Sequence, residues 1–274
     1  MKNIIRMERV KRPWVVAHRG YRGLYPENTL VAFEAAIAVG ADMIELDVCL
    51  TRDRVPVVIH DKTLYRTTNG KGLVSEHSLS EIKELDAGSW FSAEFKGEAI
   101  PTLEELLQLV KGKISVNIEI KNDSIESPAP SDAIEVQICE LVEQLEMADS
   151  VLISSFEHFI FPRIQRWYRN HGKSNVIRIA LLQGVPLLED LALGLCQRQN
   201  AYSYHPDENF VTPSLIEIMK AGGFRIFPYT INDEKRMEQL INWGVTGIIS
   251  DEPKLLSKVV HKMKGMNEKS APPF

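Results

Sequence analysis

Apolar positions along the 274-residue chain follow two spacings in turn. Short apolar runs of strand length fall near 14–18, 43–48, 55–60, 115–120, 150–154, 176–181, 200–204, 225–229 and 246–249. Stretches of helical period fall at 28–39, 103–111, 132–147, 157–170, 187–197, 212–221 and 233–243. Strand and helix therefore alternate over most of the chain, which predicts βα repetition and a parallel sheet. Nine strand candidates are one too many for an eight-stranded barrel. The surplus resolves at Thr51-Arg52-Asp53-Arg54, a polar turn too short for a parallel crossover, so 43–50 and 55–60 must form an antiparallel hairpin. What remains is an α/β chain of the TIM (β/α)8 barrel type, with a hairpin after the second strand. Such barrels take about 250 residues as one unit, so a single domain over 1–274 is expected.

Residues 62–100 carry little periodicity and read as a small insertion subdomain capping the barrel mouth, since long loops in compact domains usually serve function. Met1 to Pro13 holds five Lys/Arg and no apolar run of signal-peptide length, and reads as a solvated basic terminus. Lys264 to Phe274 mixes charge, Ser and two prolines, and reads as a frayed tail. No segment reaches membrane-spanning length, so stable membrane insertion is not expected.

Composition narrows the partners. A net charge of -5 leaves no extended basic surface, which argues against nucleic acid, while a small anion would need only a local basic site. Cys49, Cys139 and Cys196 are odd in number and widely spaced, so neither a disulfide framework nor a zinc site is indicated, and a reducing, cytoplasmic setting fits. Whether the chain forms a homodimer stays open.

The chemistry gathers at strand ends. Residues two apart on a strand share a face, so Glu45 and Asp47 point together, as do Glu119 and Lys121. The hairpin returns His60 to a place opposite Leu46, beside those carboxylates, and His18 ends the first strand. Inward charges need a partner, and a divalent cation with oxygen ligands is a suitable one. Phe156 and Tyr229 lie near strand ends, where aromatic walls could sandwich a substrate's alcohol moieties.

With these residues in hand the chain resembles the glycerophosphodiester phosphodiesterase family of bacterial cytosolic type over nearly its whole length. The resemblance is carried by His18-Arg19-Gly20, Pro26-Glu27-Asn28-Thr29, Glu45-Leu46-Asp47, His60-Asp61, Arg66-Thr67-Thr68-Asn69-Gly70, Ile100-Pro101-Thr102-Leu103, Asn117-Ile118-Glu119-Ile120-Lys121, Ser154-Ser155-Phe156, Tyr229-Thr230-Ile231-Asn232 and Gly247-Ile248-Ile249-Ser250-Asp251. It implies metal-dependent hydrolysis of glycerophosphodiesters to sn-glycerol 3-phosphate and an alcohol. It also implies one divalent cation, Mg2+ or Ca2+, held by Glu45, Asp47 and Glu119, with His18 and His60 as acid and base. Arg19 and Lys121 then meet the phosphate, Arg19 through its planar fork and Lys121 as a point charge. Family chemistry further suggests attack on phosphorus by the substrate's own C2 hydroxyl.

Other readings compete at several positions. Glu45 and Asp47 could be ion-paired with Lys121 without a metal, and Lys121 could be only a structural partner of Glu119. Glu27 and Asn28 could simply open the first helix, with Asn28 as N-cap. His205 follows a barrel strand and could reach the mouth, whereas His77, His158, His171 and His261 read as surface residues. Alternative functions are a lysophospholipase D-like phosphodiesterase, its lipid tail lying along the Trp90-Phe91 and Phe95 cluster, and a noncatalytic phosphodiester-binding protein.

Overall fold

Eight parallel strands form the barrel of this computed structural model, which describes residues 12–173 and 176–270, with side chains as far as 264. They are β1 (Trp14–Ala17), β2 (Met43–Leu50), β4 (Ser115–Ile120), β5 (Val151–Ser155), β6 (Arg178–Gln183), β7 (Ser203–Pro206), β8 (Arg225–Ile226) and β9 (Gly247–Ser250). β3 (Pro56–Val58) stands off this path and runs antiparallel to β2, with Val48 opposite Val58. The spatial order is β8-β7-β6-β5-β4-β2-β1-β9. The remaining seam is bridged by Thr246 N donating to Ile226 O and Ile249 N donating to Pro228 O, both at 3.0 Å.

Strands covered on both faces must be apolar on both, which explains the unbroken Val/Ile runs. Trp14, Val16, Met43, Leu152, Ala180, Phe227 and Ile249 fill the barrel interior. A larger outer core lies between the strands and helices α1 (Leu30–Ala38), α3 (Leu103–Val110), α4 (Ile134–Gln144), α5 (Phe161–Asn170), α6 (Glu189–Gln199), α7 (Pro213–Ala221), α8 (Glu234–Trp243) and α9 (Pro253–Ser270). The short α2 (Leu79–Lys83) belongs to the insertion.

The structure decides between the two readings of Asn28 and extends the last helix into the expected tail. Asn28 does not cap α1. Thr29 does, its hydroxyl accepting from Ala32 N, while Asn28 has a left-handed backbone (φ 59°) and turns its amide to the site. The tail from Lys264 is helical as far as Ser270, because α9 continues beyond Leu256, Val259, Val260 and Met263, which bury one stripe against the barrel; residues 271–274 lie outside the described residues, as do 1–11 of the basic terminus. This helix pattern was obscured by the many lysines on its other face. The insertion has a small core of its own. Leu64, Val74, Ile82, Ala87 and Ile100 form a small core with Cys49, Val57 and Ile59, so it leans on the hairpin beside the barrel.

Thr29 is fully buried and also donates to Pro26 O at 2.7 Å, fixing the turn that carries Glu27 and Asn28. Thr29→Ala should cost about 1–2 kcal/mol of stability. Urea denaturation should show a lower midpoint with an unchanged m-value, and Thr29→Ser should recover most of the loss.

Candidate active site

At the C-terminal ends of the strands lies a cavity of about 150 Å³ whose walls include His18, Arg19, Glu45, His60, Asn117, Glu119, Lys121, Phe156 and Tyr229. Of the nine residues given catalytic, metal or substrate roles from the sequence, only Asp47 is absent from this wall. It is fully buried behind it and accepts from the Asn28 amide at 3.0 Å. None of residues 62–100 lines the cavity, among those described.

Strand register assembles the carboxylates. Asp47 sits opposite Glu119 and Glu45 opposite Asn117 across the β2–β4 ladder, so one carboxylate face spans two strands. One oxygen from each of Glu45, Asp47 and Glu119 lies within 4.8 Å of the others. Two cations face the group. Lys121 Nζ is 2.7 Å from Glu119 and 3.4 Å from Asp47, and Arg19 Nε is 3.2 Å from Asp47. Burial, then the charges of Asp47 and Glu119, push the Glu45 carboxyl up. Burial and the Asp47 charge, opposed by Lys121, push Glu119 up to about 7. Asp47 goes the other way despite burial, because Arg19 and Lys121 hold its charge.

Glu45 Oε1 and Asp47 Oδ1 are buried with no hydrogen-bond partner. Two orphaned carboxylate oxygens beside a third carboxylate, in a site short of positive charge, make the kind of donor set a hard divalent cation takes. The residues present therefore fit such an ion.

Each histidine is backed by a carboxylate. His18 Nδ1 lies 2.6 Å from Asp251, and His60 Nδ1 lies 2.6 Å from Asp61. Burial lowers both imidazoles below their ordinary range, against the pull of the neighbouring acids. Asp61 is brought down to about 2, chiefly by its hydrogen bond with Arg66. Burial pushes Asp251 up, but the hydrogen bond and charge of His18, the Arg22 charge and the Asn232 hydrogen bond together bring it down to about 2. An ionised carboxylate can only accept, so each Nδ1 carries the proton and each Nε2 is left as the free nitrogen.

Gly20 makes this turn possible. Its φ is +82°, and a Cβ there would stand 2.7 Å from the backbone of Ala32. The tight turn aims Arg19 N at Glu45 Oε2 at 3.0 Å. Arg19's fork, however, is not wholly open to a phosphate, for Nη1 donates to Glu27 at 2.8 Å.

Phe156 and Tyr229 meet edge to face at 6.2 Å on the cavity wall, with the Tyr229 hydroxyl donating to Gln183 O. His205 does not reach the mouth. It is buried in the barrel, on Ser203 and the Phe227 ring, and its imidazole is lowered to about 3 by burial. His171 and His261 are exposed, but His77 and His158 are half-buried against backbone carbonyls. Trp90, Phe91 and Phe95 stack on one another and on Tyr25, away from the cavity wall, so they furnish no groove beside it. The sequence reading missed Asp61, Asp251, Arg22 and Arg66 as parts of the site, and Asn117 as part of its wall. Adjacency of Asp61 to His60, and the position of Asp251 just past a barrel strand, were the available signals.

A parallel barrel with paired histidines and clustered carboxylates at its C-terminal mouth defines an enzyme class, one whose pocket suits an anionic substrate. The chain matches the model of the Glycerophosphoryl diester phosphodiesterase family over residues 18–255. It is 41% identical over 249 residues to a glycerophosphodiester phosphodiesterase of Caldanaerobacter subterraneus, covering 90% of this chain and 98% of that protein. A Bacillus altitudinis protein of the same name is 39% identical over 255 residues, covering 91% and 99%. Among solved structures, an Oleispira antarctica phosphodiesterase in complex with the product sn-glycerol-3-phosphate superposes with a TM-score of 0.80 at 30% identity, covering 91% of this chain and 97% of that one. The glycerophosphodiester phosphodiesterase of Agrobacterium tumefaciens gives 0.76 at 31%, covering 90% and 99%. The chain belongs to the glycerophosphoryl diester phosphodiesterase family and is a hydrolase of that kind.

The raised Glu119 carboxyl sets a pH dependence. In the folded, metal-free protein it takes up a proton between its ordinary 4.5 and about 7, and a cation must displace that proton. The lowered histidines work in the opposite sense, so the comparison is made with and without metal at one pH. The gain in Tm on replacing chelator by Mg2+ or Ca2+ should be larger at a pH of about 8 than at about 5. Equal gains, or none with either ion, would remove the cluster as a cation site.

Proposed function

We propose that the protein hydrolyses glycerophosphodiesters to sn-glycerol 3-phosphate and an alcohol, using a divalent cation held by Glu45, Asp47 and Glu119 and acid–base catalysis by His18 and His60. One observation carries this reading: two histidines, each with Nδ1 on a carboxylate, share one cavity with Glu45 and Glu119, and Asp47 is crowded against those two from behind the wall. The named relatives and the product complex of the Oleispira antarctica enzyme support the substrate class.

Hydrolysis then runs in two steps: one proton leaves the attacking hydroxyl, which we take to be the substrate's own at C2, and one goes to the leaving alkoxide, and the cyclic phosphate so formed is opened by water with the two proton transfers exchanged, giving sn-glycerol 3-phosphate. In their neutral forms both histidines offer a bare Nε2, so one accepts the first proton while the other must enter protonated. The cation would neutralise phosphodiester charge as the transition state forms. Arg19 and Lys121, already pinned by carboxylates, add fixed positive charge at the cavity wall rather than mobile side chains. Phe156 and Tyr229 form the apolar wall for the alcohol portion.

Two groups titrating in opposite roles give a bell-shaped pH dependence of kcat/KM. His18→Ala and His60→Ala should each lower kcat by about 100-fold or more on glycerophosphocholine, with KM moved far less, because both act in the transition state. Steady-state kinetics check this, and variants that retained kcat within a few fold would exclude histidine catalysis.

A further inference from the structure

Glu27 is a buried carboxylate on which three guanidinium groups converge. Arg19 Nη1 donates to Oε1 at 2.8 Å, Arg22 Nε to Oε2 at 2.9 Å, and Arg66 to both oxygens, at 2.8 and 2.9 Å. One bidentate arginine would have satisfied it. The far ends of two of these side chains explain the excess. Arg22 Nη1 stands 3.3 Å from both oxygens of Asp251, the acid behind His18. Arg66 donates at 2.7 and 2.9 Å to Asp61, the acid behind His60. A continuous chain of charge-assisted hydrogen bonds thus runs His18–Asp251–Arg22–Glu27–Arg66–Asp61–His60.

Its members come from the loops after β1, β3 and β9 and from the insertion. We propose that Glu27, with Arg22 and Arg66 as its arms, is a positioning residue that fixes the two histidine–carboxylate pairs relative to one another. The inference rests on the histidine roles proposed above. Imidazole orientation must be held to a fraction of an ångström for proton transfer, and carboxylates that could swing would not hold it. Clamped from behind by a planar fork, Asp61 cannot rotate away from Nδ1, and Asp251 is held likewise by Arg22 and by the Asn232 amide at 2.8 Å. The insertion thereby acts on the reaction without touching substrate, since Arg66 reaches the site only through Asp61 and Glu27. Arg22 and Arg66 are about a third exposed, at 34% and 38%, and neither lines the cavity, so either can be replaced without opening the core.

The test is a set of double-mutant cycles on the full-length protein, assayed with glycerophosphocholine at saturating divalent cation. Arg22→Ala and Arg66→Ala should each lower kcat about tenfold or more, with KM and the cation concentration for half activity kept within about twofold. Added guanidinium ion should restore part of the Arg66→Ala loss. Arg66→Ala should cost little further in Asp61→Asn but its full factor in Asp251→Asn, and Arg22→Ala should pair the other way round. Glu27→Gln should reproduce both arm defects, and should it fail to fold, the exposed arms decide alone. Arm variants with unchanged kcat, a loss confined to KM or cation affinity, or equal multiplication with both acids would overturn the proposal. His18→Ala and His60→Ala run alongside: if they stay active the histidine reading falls and the frame with it, whereas inactive histidine variants beside silent arms refute the frame alone.

Discussion

Three carboxylates held within 4.8 Å of one another in a buried site are the constraint around which the rest is arranged. Two unit charges at that separation repel by roughly 3 kcal/mol even at an effective dielectric near 20. Lys121 and Arg19 supply two positive charges against three negative ones, and Arg19 is shared with Glu27. The protein answers partly by protonation, which is why Glu45 and Glu119 are pushed up while Asp47, nearest the cations, stays ionised. A carboxyl raised to about 7, as Glu119 is, gives up its proton near neutral pH, where a divalent ion can take its place.

That arrangement depends on the barrel. Parallel strands in register deliver side chains from β2 and β4 to one level, and the hairpin brings His60 back to it through Ile59 N, which donates to Asp47 O at 3.0 Å. Outside the carboxylates stands a second layer of opposite sign, in which Arg19, Arg22 and Arg66 surround Glu27. Alternating layers of charge let a strongly polar site exist at the end of an apolar barrel, because each buried charge has a neighbour of the other sign.

Much of this was legible in the chain. Short apolar runs marked the nine strands of the described residues, and the polar turn Thr51–Arg54 forced the hairpin that carries His60. Inward alternation paired Glu45 with Asp47. The cap of α1 was open in the sequence because Asn28 and Thr29 are both good cap residues, and only the contact of the Asn28 amide with Asp47 decides between them. The position of the insertion was not legible, since its apolar residues could cover either the mouth or the hairpin flank and no local pattern distinguishes the two. The arginine shell was equally hidden: Arg22 and Arg66 look like ordinary surface charges until distant loops bring Glu27 between them.

A crystal structure grown with Mg2+ or Ca2+ and sn-glycerol 3-phosphate tests the central claim most directly. The account predicts one cation on Glu45, Asp47 and Glu119, with the phosphate against it and within hydrogen-bond reach of Nε2 of His18 or His60. A cation bound elsewhere with the three carboxylates unligated, or a phosphate remote from both histidines, would contradict it.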